Sequence, residues 1–369
     1  MNKLFILIKP SSSLCNMNCK YCFYKDIANI RHTKNYGFMQ ENTMKNIIDK
    51  SFNTITKNGY IHFAFQGGEP TLIGLEYFYS FINYIKQKNT KNINISYSIQ
   101  TNGDLINDEW AKLFVNNNFL VGLSFDLLEK IHNKLRIKNN LPTYDIVLNA
   151  KEILDKYNVE YNILTVLSKE LSHYPKEIYN EIKNKNIEYI QFIPCIGELE
   201  NNINIIEEYS IKPREFAYFY NSIFKMWEKD ILNGRYLSIS FFDNISELLA
   251  GYHPTTCGID GICHNHLVIE SNGNIYPCDF YCIDKYYSGN INTDDLIDVI
   301  NNQNRINFTN DLKKINTKCT SCKFYKLCNS GCKRMYNNIY IEDNFCGMEN
   351  FLKNNINSII KILKLKNIL

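Results

Sequence analysis

From Lys3 to about Gly234 the chain alternates short apolar runs with stretches of helical period, and no other feature restricts its fold as strongly. Strands are expected at Leu4 to Ile8, Tyr60 to Gln66, Ile93 to Gln100, Leu120 to Phe125, Val159 to Val166 and Tyr189 to Ile193. Helices are expected between them at Glu41 to Asn53, Leu75 to Lys86, Asp108 to Asn117, Tyr144 to Tyr157 and Lys176 to Lys185, with Thr143 as an N-cap and Pro175 near a helix start. A sixth helix, Lys212 to Leu232, ends at Asn233-Gly234. Such repetition builds a parallel sheet with crossover helices. Six units are too few to close an eight-stranded barrel, so the reading is α/β, a partial (β/α)6 barrel with ligands at the C-terminal ends of its strands. Beyond Gly234 the periodicity breaks up and cysteines concentrate, which predicts a 1–234 barrel followed by a metal-organised domain over 235–369. The amphipathic segment Phe351 to Ile368 reads as a packing helix that closes the chain.

At 369 residues and 45% hydrophobic content the chain can bury one large core and a smaller second one. A net charge of +3, from 41 Lys and Arg against 38 Asp and Glu, argues for neither a nucleic-acid surface nor a membrane surface. The first apolar run spans only Leu4 to Ile8 before Lys9-Pro10, too short for a signal peptide or a membrane span, so a cytoplasmic protein is expected. In that reducing compartment thirteen cysteines, an odd number, read as metal ligands and not as disulfides.

Cys15, Cys19 and Cys22 form Cys-x3-Cys-x2-Cys directly after the first expected strand. Three thiolates hold three irons of a cubane and leave the fourth open to a ligand, whereas electron-transfer clusters usually take four cysteines. A zinc knuckle would want a fourth Cys or His nearby, and the closest, His32, lies in a polar, weakly patterned stretch. The triplet, followed by Phe23-Tyr24, resembles the signature of the radical S-adenosylmethionine (SAM) superfamily. There SAM chelates the unique iron of a 4Fe-4S cluster through its amino and carboxylate groups.

Gln66-Gly67-Gly68-Glu69-Pro70 ends the second strand, where paired glycines admit close backbone approach and the carbonyls and Glu69 can face a cation. This resembles the superfamily's Gly-Gly-Glu-Pro motif, and Gly68 matches the backbone contact to the SAM amino group. A hydroxyl and a guanidinium suit a carboxylate. The resemblance implies that Ser124 and Arg136 take that of SAM, that Tyr21 flanks the cluster and nucleoside, and that Ile196 packs on adenine. For Ile196, ordinary core packing is an equal reading. Asp126-Leu127-Leu128 stands where the superfamily commonly has Asp-Gly-Pro, so a reshaped turn is expected.

Cys263-x9-Gly273-x4-Cys278, Cys319-x2-Cys322-x5-Cys328-x3-Cys332 and Cys346 resemble the SPASM extension of peptide-modifying radical SAM enzymes. With Cys257 there are eight thiols, enough for two fully ligated 4Fe-4S cubanes. The family's interleaved assignment implies Cys257, Cys263, Cys278 and Cys332 for one auxiliary cluster, and Cys319, Cys322, Cys328 and Cys346 for the other. Cys195 and Cys282 then remain free thiols, and His264 and His266 read as solvated or hydrogen-bonded. Zinc is the competing reading for the Cys319-x2-Cys322 group. A fully ligated cluster has no vacancy for substrate, and its natural role is to carry electrons.

Ser11 through Tyr24, Phe63 through Pro70, Cys257-Gly258 and Ser271 through Tyr281, with its Cys278-Asp279-Phe280-Tyr281, together resemble the anaerobic sulfatase-maturating enzymes over nearly the whole chain. Members oxidise a Cys or Ser of a sulfatase polypeptide to Cα-formylglycine. The resemblance implies SAM and three 4Fe-4S clusters as cofactors, hydrogen abstraction from Cβ by a 5'-deoxyadenosyl radical, and electron removal through the auxiliary clusters. Asp279 matches the proton acceptor, a task a carboxylate performs within hydrogen-bond reach of the substrate proton. Tyr24 and Gln66 lie beside the radical site by motif position. The implied partners are a sulfatase polypeptide and an electron donor such as flavodoxin or ferredoxin, with monomer as the default state. Two rivals remain. One is a SPASM maturase forming, for example, thioether crosslinks; such enzymes often carry a leader-peptide domain, and only fourteen residues precede Cys15. The other is a zinc-bound interaction module without a brown chromophore.

Overall fold

The computed structural model of the chain describes residues 1–199, 207–263, 266–311 and 315–368. In chain order the elements are β1 (Lys3–Lys9), α1 (Phe23–Ile30), α2 (Glu41–Thr54), β2 (Tyr60–Phe65), α3 (Leu75–Lys88), β3 (Asn94–Thr101), α4 (Asp108–Asn116) and β4 (Phe119–Ser124). Then come α5 (Glu129–Leu135), α6 (Tyr144–Lys156), β5 (Tyr161–Leu167), α7 (Pro175–Asn184), β6 (Tyr189–Pro194) and α8 (Pro213–Leu232). The α/β alternation expected from the periodicity is therefore present. Thr143 occupies the N-cap position of α6 without its side chain capping the helix, while Pro175 opens α7 as expected. After α8 follow β7 (Ser238–Ile239), α9 (Ser240–Leu249), β8 (Leu267–Glu270), β9 (Asn274–Tyr276), β10 (Gly289–Asn290) and, after several short helical turns, α10 (Gly347–Leu365).

Contacts divide the chain into two compact units. The first comprises Met1–Ser124, Ile137–Tyr161 and Asn265–Asp311; the second comprises Phe125–Arg136, Asn162–His264 and Leu312–Leu369. In the first unit β1 to β4 are parallel and paired in sequence order. Phe63 and Phe65 of β2, Phe119 of β4 and Phe78 and Phe81 of α3 are buried completely or nearly so, and the Phe65 ring lies 5.0 Å from Phe78. Burying each such side chain is worth about 1.5–3 kcal/mol, so this cluster anchors the sheet to α3. On the other edge of β1 runs β8, also parallel, with Lys9 in register with Glu270. Antiparallel β9 and β10 continue outward from it.

In the second unit β5, β6 and β7 are parallel. The last helix, α10, buries Phe351, Leu352, Ile359, Ile362 and Leu363 and packs on α8. Phe351 stacks on Phe242 with ring centroids 5.8 Å apart, so the amphipathic end of the chain is a packing helix. Among the described residues no helix is long and apolar enough to cross a membrane.

Candidate active site and cysteine groups

The three-cysteine loop runs from the end of β1 to α1, whose N-cap is Cys22. Two tight turns open it, with Ser12 N–H donating to Lys9 O and Leu14 N–H to Ser11 O. The glycine turn after β2 is stitched onto this segment: Gly68 N–H donates to Ser12 O at 2.8 Å and Glu69 N–H to Leu14 O at 2.7 Å. A Cβ at Gly68 would lie 2.0 Å from Leu14 O, so only glycine permits this approach. Cys15 is exposed as a residue, but its sulfur turns inward, accepting from Met17 N–H at 3.4 Å and from Asn102 Nδ2 at 3.7 Å. Burial pushes its thiol up to about 12; Met17 N–H opposes the rise, and Glu69, Cys19 and Cys22 add to it. A thiol in that setting is a thiolate only beside a strong positive charge, which an iron ion supplies. The donor set thus fits a cluster.

Glu69 departs from expectation. It does not face a ligand: the residue is 1% exposed, and both oxygens are occupied. Oε1 accepts from Thr71 N–H, Thr71 Oγ1 and Thr101 Oγ1 at 3.1, 2.6 and 2.8 Å, and Oε2 accepts from Asn102 N–H at 2.7 Å. Burial raises its pKa, while the bonds from Thr71, Asn102 and Thr101 pull it back. Its work is to tie the turn after β2 to the end of β3.

At the ends of β1 and β8 lies a buried ionic group. Lys9, fully buried, donates through Nζ to Asp279 Oδ1, and Nζ stands 3.6 Å from the centre of the Tyr24 ring. The Tyr24 hydroxyl donates to Glu270 Oε1, which also accepts from Arg31 Nη1 at 2.6 Å. The Arg31 and Glu270 side chains are both completely buried. Burial opposes the Lys9 charge, but Asp279, then Cys282 and Glu270, outweigh it and raise its pKa. Burial lifts Tyr24 well above the usual phenol range, with Glu270 adding to the rise, so it is a neutral donor. Asp279 opens a short helical turn directly after Cys278, and Phe280 in that turn packs on Phe23 at 4.9 Å. Cys282 is fully buried, and its thiol lies 3.5 Å from Cys278 O.

The first unit thus carries Tyr21, Tyr24, Gln66, Gly68, the cysteine triplet, Cys278 and Asp279; Tyr24 and Asp279 meet through Lys9, and Gly68 is bonded to the segment that leads into the triplet. Tyr21 is 6% exposed and Ser124, closing β4, is 8% exposed. Lys9, Arg31 and Glu270 were not foreseen. Their one signal in the sequence is a charge ending an apolar run, as in Lys9 after Leu4 to Ile8 and Glu270 after Leu267-Val268-Ile269.

In the second unit Cys319, Cys322, Cys328 and Cys346 line one cavity. Burial pushes Cys328 up to about 12 and Cys346 up to about 11; a backbone N–H on each sulfur opposes this, and the other thiols of the group add to it. Cys257 and Cys332 line another cavity, and Cys263 is partly exposed. Four thiols lining one cavity are a donor set of the kind an iron–sulfur cluster takes. Cys195 is 2% exposed. Arg136 caps the end of α5 and is 5% exposed, and Ile196 is 4% exposed. His266 is partly exposed and His264 lies outside the described residues. The turn at Asp126-Leu127-Leu128 keeps the conformation a glycine would take: Leu127 has φ +62°, and Leu128 N–H donates to Asp126 O at 2.7 Å. Leucine adopts that backbone at a cost of about 1–2 kcal/mol.

Comparison with known proteins gives the class of the chain. The model of the radical SAM superfamily matches residues 10–182, and the SPASM iron–sulfur cluster-binding domain matches residues 261–323. Fold and donor sets define a radical SAM enzyme with an iron–sulfur extension. The chain is 41% identical over 370 aligned residues to a cysteine-type anaerobic sulfatase-maturating enzyme of Clostridium novyi, covering 99% of this chain and 98% of the relative. It is 39% identical to that of Clostridium perfringens, covering 90% of each. The solved structure of native anSMEcpe with bound AdoMet and Cp18Cys peptide superposes with a TM-score of 0.89 at 35% identity, over 99% of both chains. The chain belongs to the anaerobic sulfatase-maturating enzymes, which use SAM and iron–sulfur clusters to oxidise a cysteine or serine of a sulfatase peptide to formylglycine. Membership sets aside the zinc-module reading and gives the thioether reading no support.

Proposed function

We propose that the target is a peptidyl cysteine and that Asp279 takes its thiol proton. Both relatives described above are cysteine-type enzymes, which supports the first point. The second rests on one observation: Asp279 is bound on Oδ1 by a fully buried lysine, while a fifth of its side chain stays open. A carboxylate fixed on one side and open on the other has the form of a general base.

Cys15, Cys19 and Cys22 hold the SAM-binding cluster, with Gly68, Ser124, Arg136, Tyr21 and Ile196 contacting SAM. Cys257, Cys263, Cys278 and Cys332 hold one auxiliary cluster, and Cys319, Cys322, Cys328 and Cys346 the other. When bound, these groups supply hydrogen abstraction and an outlet for electrons. The chain's own residues do the rest. The stitched loops around Gly68 fix the reaction centre, Gln66 and Tyr24 border it, and Asp279 receives the proton. Residues 1–234 and 235–369 divide the labour between radical generation and electron removal. The protein works as a cytoplasmic monomer served by a flavodoxin or ferredoxin.

The test is mass spectrometry of an anaerobic reaction with reconstituted protein, SAM, a reductant, and peptides carrying Cys-x-Pro-x-Arg or Ser-x-Pro-x-Arg. The cysteine peptide is expected to gain an aldehyde in preference to the serine peptide. Asp279→Asn is expected to lower aldehyde formation by about 10²–10⁴-fold, the range for loss of a general base. Equal conversion of the serine peptide would overturn the cysteine assignment, and an active Asp279→Asn the base assignment.

A further inference from the structure

We infer that Lys9 is the positioning residue for Asp279, and that the Tyr24 ring is the floor that holds it; this rests on the reading of Asp279 as proton acceptor. A bridge serving stability alone gives no reason for its two ends to differ in exposure. Here Lys9 is 1% exposed in its side chain and Asp279 20%. The cation is locked in and the carboxylate is left accessible.

The lock has three layers. Lys9 ends β1 in register with Glu270, and in a parallel pair such residues share a face of the sheet. Glu270 is fixed by Arg31, and Glu270 in turn fixes the Tyr24 hydroxyl. The Tyr24 ring then lies under the Lys9 ammonium, where a cation on an aromatic face is attracted without forming a competing hydrogen bond. Lys9 Nζ bonds one carboxylate among the described residues, that of Asp279, on Oδ1. Among the described residues Oδ2 has no partner, so it is the oxygen on which the proton from the substrate thiol lands. The S–H bond breaks, an O–H bond forms on Oδ2, and Lys9 stays an ammonium throughout. Glu270 also faces this group from β8, with the buried Cys282 beside it.

The experiment compares Lys9→Met, Lys9→Gln, Lys9→Arg and Asp279→Asn as reconstituted holoenzymes. It reads aldehyde formed per 5'-deoxyadenosine released, kcat against KM for the cysteine peptide, and peptide Kd by calorimetry. Lys9→Met is expected to lower aldehyde per deoxyadenosine by about 10–100-fold, the scale of a misplaced reacting group. Peptide Kd should stay within about twofold, since Lys9 is fully buried and exposes no surface to a ligand. Lys9→Arg should restore most of the coupling. If Lys9→Met fails to load iron, Lys9→Gln decides, because its neutral amide is one atom shorter and carries no charge, so coupling is expected to fall there too. Wild-type coupling in a folded Lys9→Met or Lys9→Gln, with Asp279→Asn inactive, overturns this inference alone. An active Asp279→Asn overturns the underlying reading.

Discussion

Glu69 and Asp279 are two carboxylates of the same unit, held in opposite ways. Glu69 is enclosed, with every contact a neutral donor from the Thr71 or Thr101-Asn102 backbone and hydroxyls. Among the described residues Asp279 has one partner, a buried cation, and it keeps an open side. Saturation by neutral donors removes a carboxylate from chemistry and makes it a joint between loops. A single charged partner fixes the direction of a carboxylate and leaves an oxygen to act. In a sequence the two look alike, each an acid beside a motif residue.

This contrast can be broken at its supports. The largest effect is expected for Glu270→Gln, which leaves the Arg31 guanidinium buried without its counter-charge. Removing one partner of a buried pair costs about 3–5 kcal/mol, and the melting temperature of the reconstituted protein should fall accordingly. An unchanged melting temperature would mean that the ionic group is not rigid, and the three-layer lock would lose its base. Next comes Glu69→Gln, whose amide turns two hydrogens toward groups that are themselves donors. A loss of about 1–3 kcal/mol is expected for each buried donor left unpaired, again read by melting. The fraction of deoxyadenosine coupled to aldehyde should hold in the protein that remains folded. If coupling falls in Glu69→Gln as steeply as in Asp279→Asn, the distinction between joint and base collapses. The smallest effect belongs to Tyr24→Phe, which removes one hydrogen bond to Glu270, worth about 1 kcal/mol, and keeps the ring beneath Lys9. Coupling should drop only a few-fold; a drop as deep as in Lys9→Met would move the positioning role from the ring to the hydroxyl.

The barrel strands and their helices were legible because burial imposes a period, and the apolar residues of β1 to β6 repeat it plainly. The cysteine groups were legible because iron demands thiols at short, regular spacing. Elements outside these two rules were not. Helix α1, eight residues long, follows a cysteine loop and carries only three buried positions, Tyr24, Ile27 and Ala28, too few to show a repeat. Strand β8 has four residues, all buried, and nothing local says that it pairs with β1. Lys9 was passed over because a lysine after an apolar run normally reaches for water. Its partner lies 270 residues away in the sequence. Leu127 is a separate case: no composition rule announces a leucine with φ +62°, held there by tight packing around a fully buried side chain.

The register between β1 and β8 has a consequence for the chain while it is being made. The cysteine triplet and the glycine turn are complete by residue 69, yet Lys9 finds its carboxylate only when residues beyond 267 have been added and have docked. A product interrupted between those points would carry the cysteine loop and lack Asp279, the residue proposed to accept the proton. On that proposal, the separation of 270 residues between Lys9 and Asp279 makes synthesis of the chain through residue 279 a condition for a productive turnover.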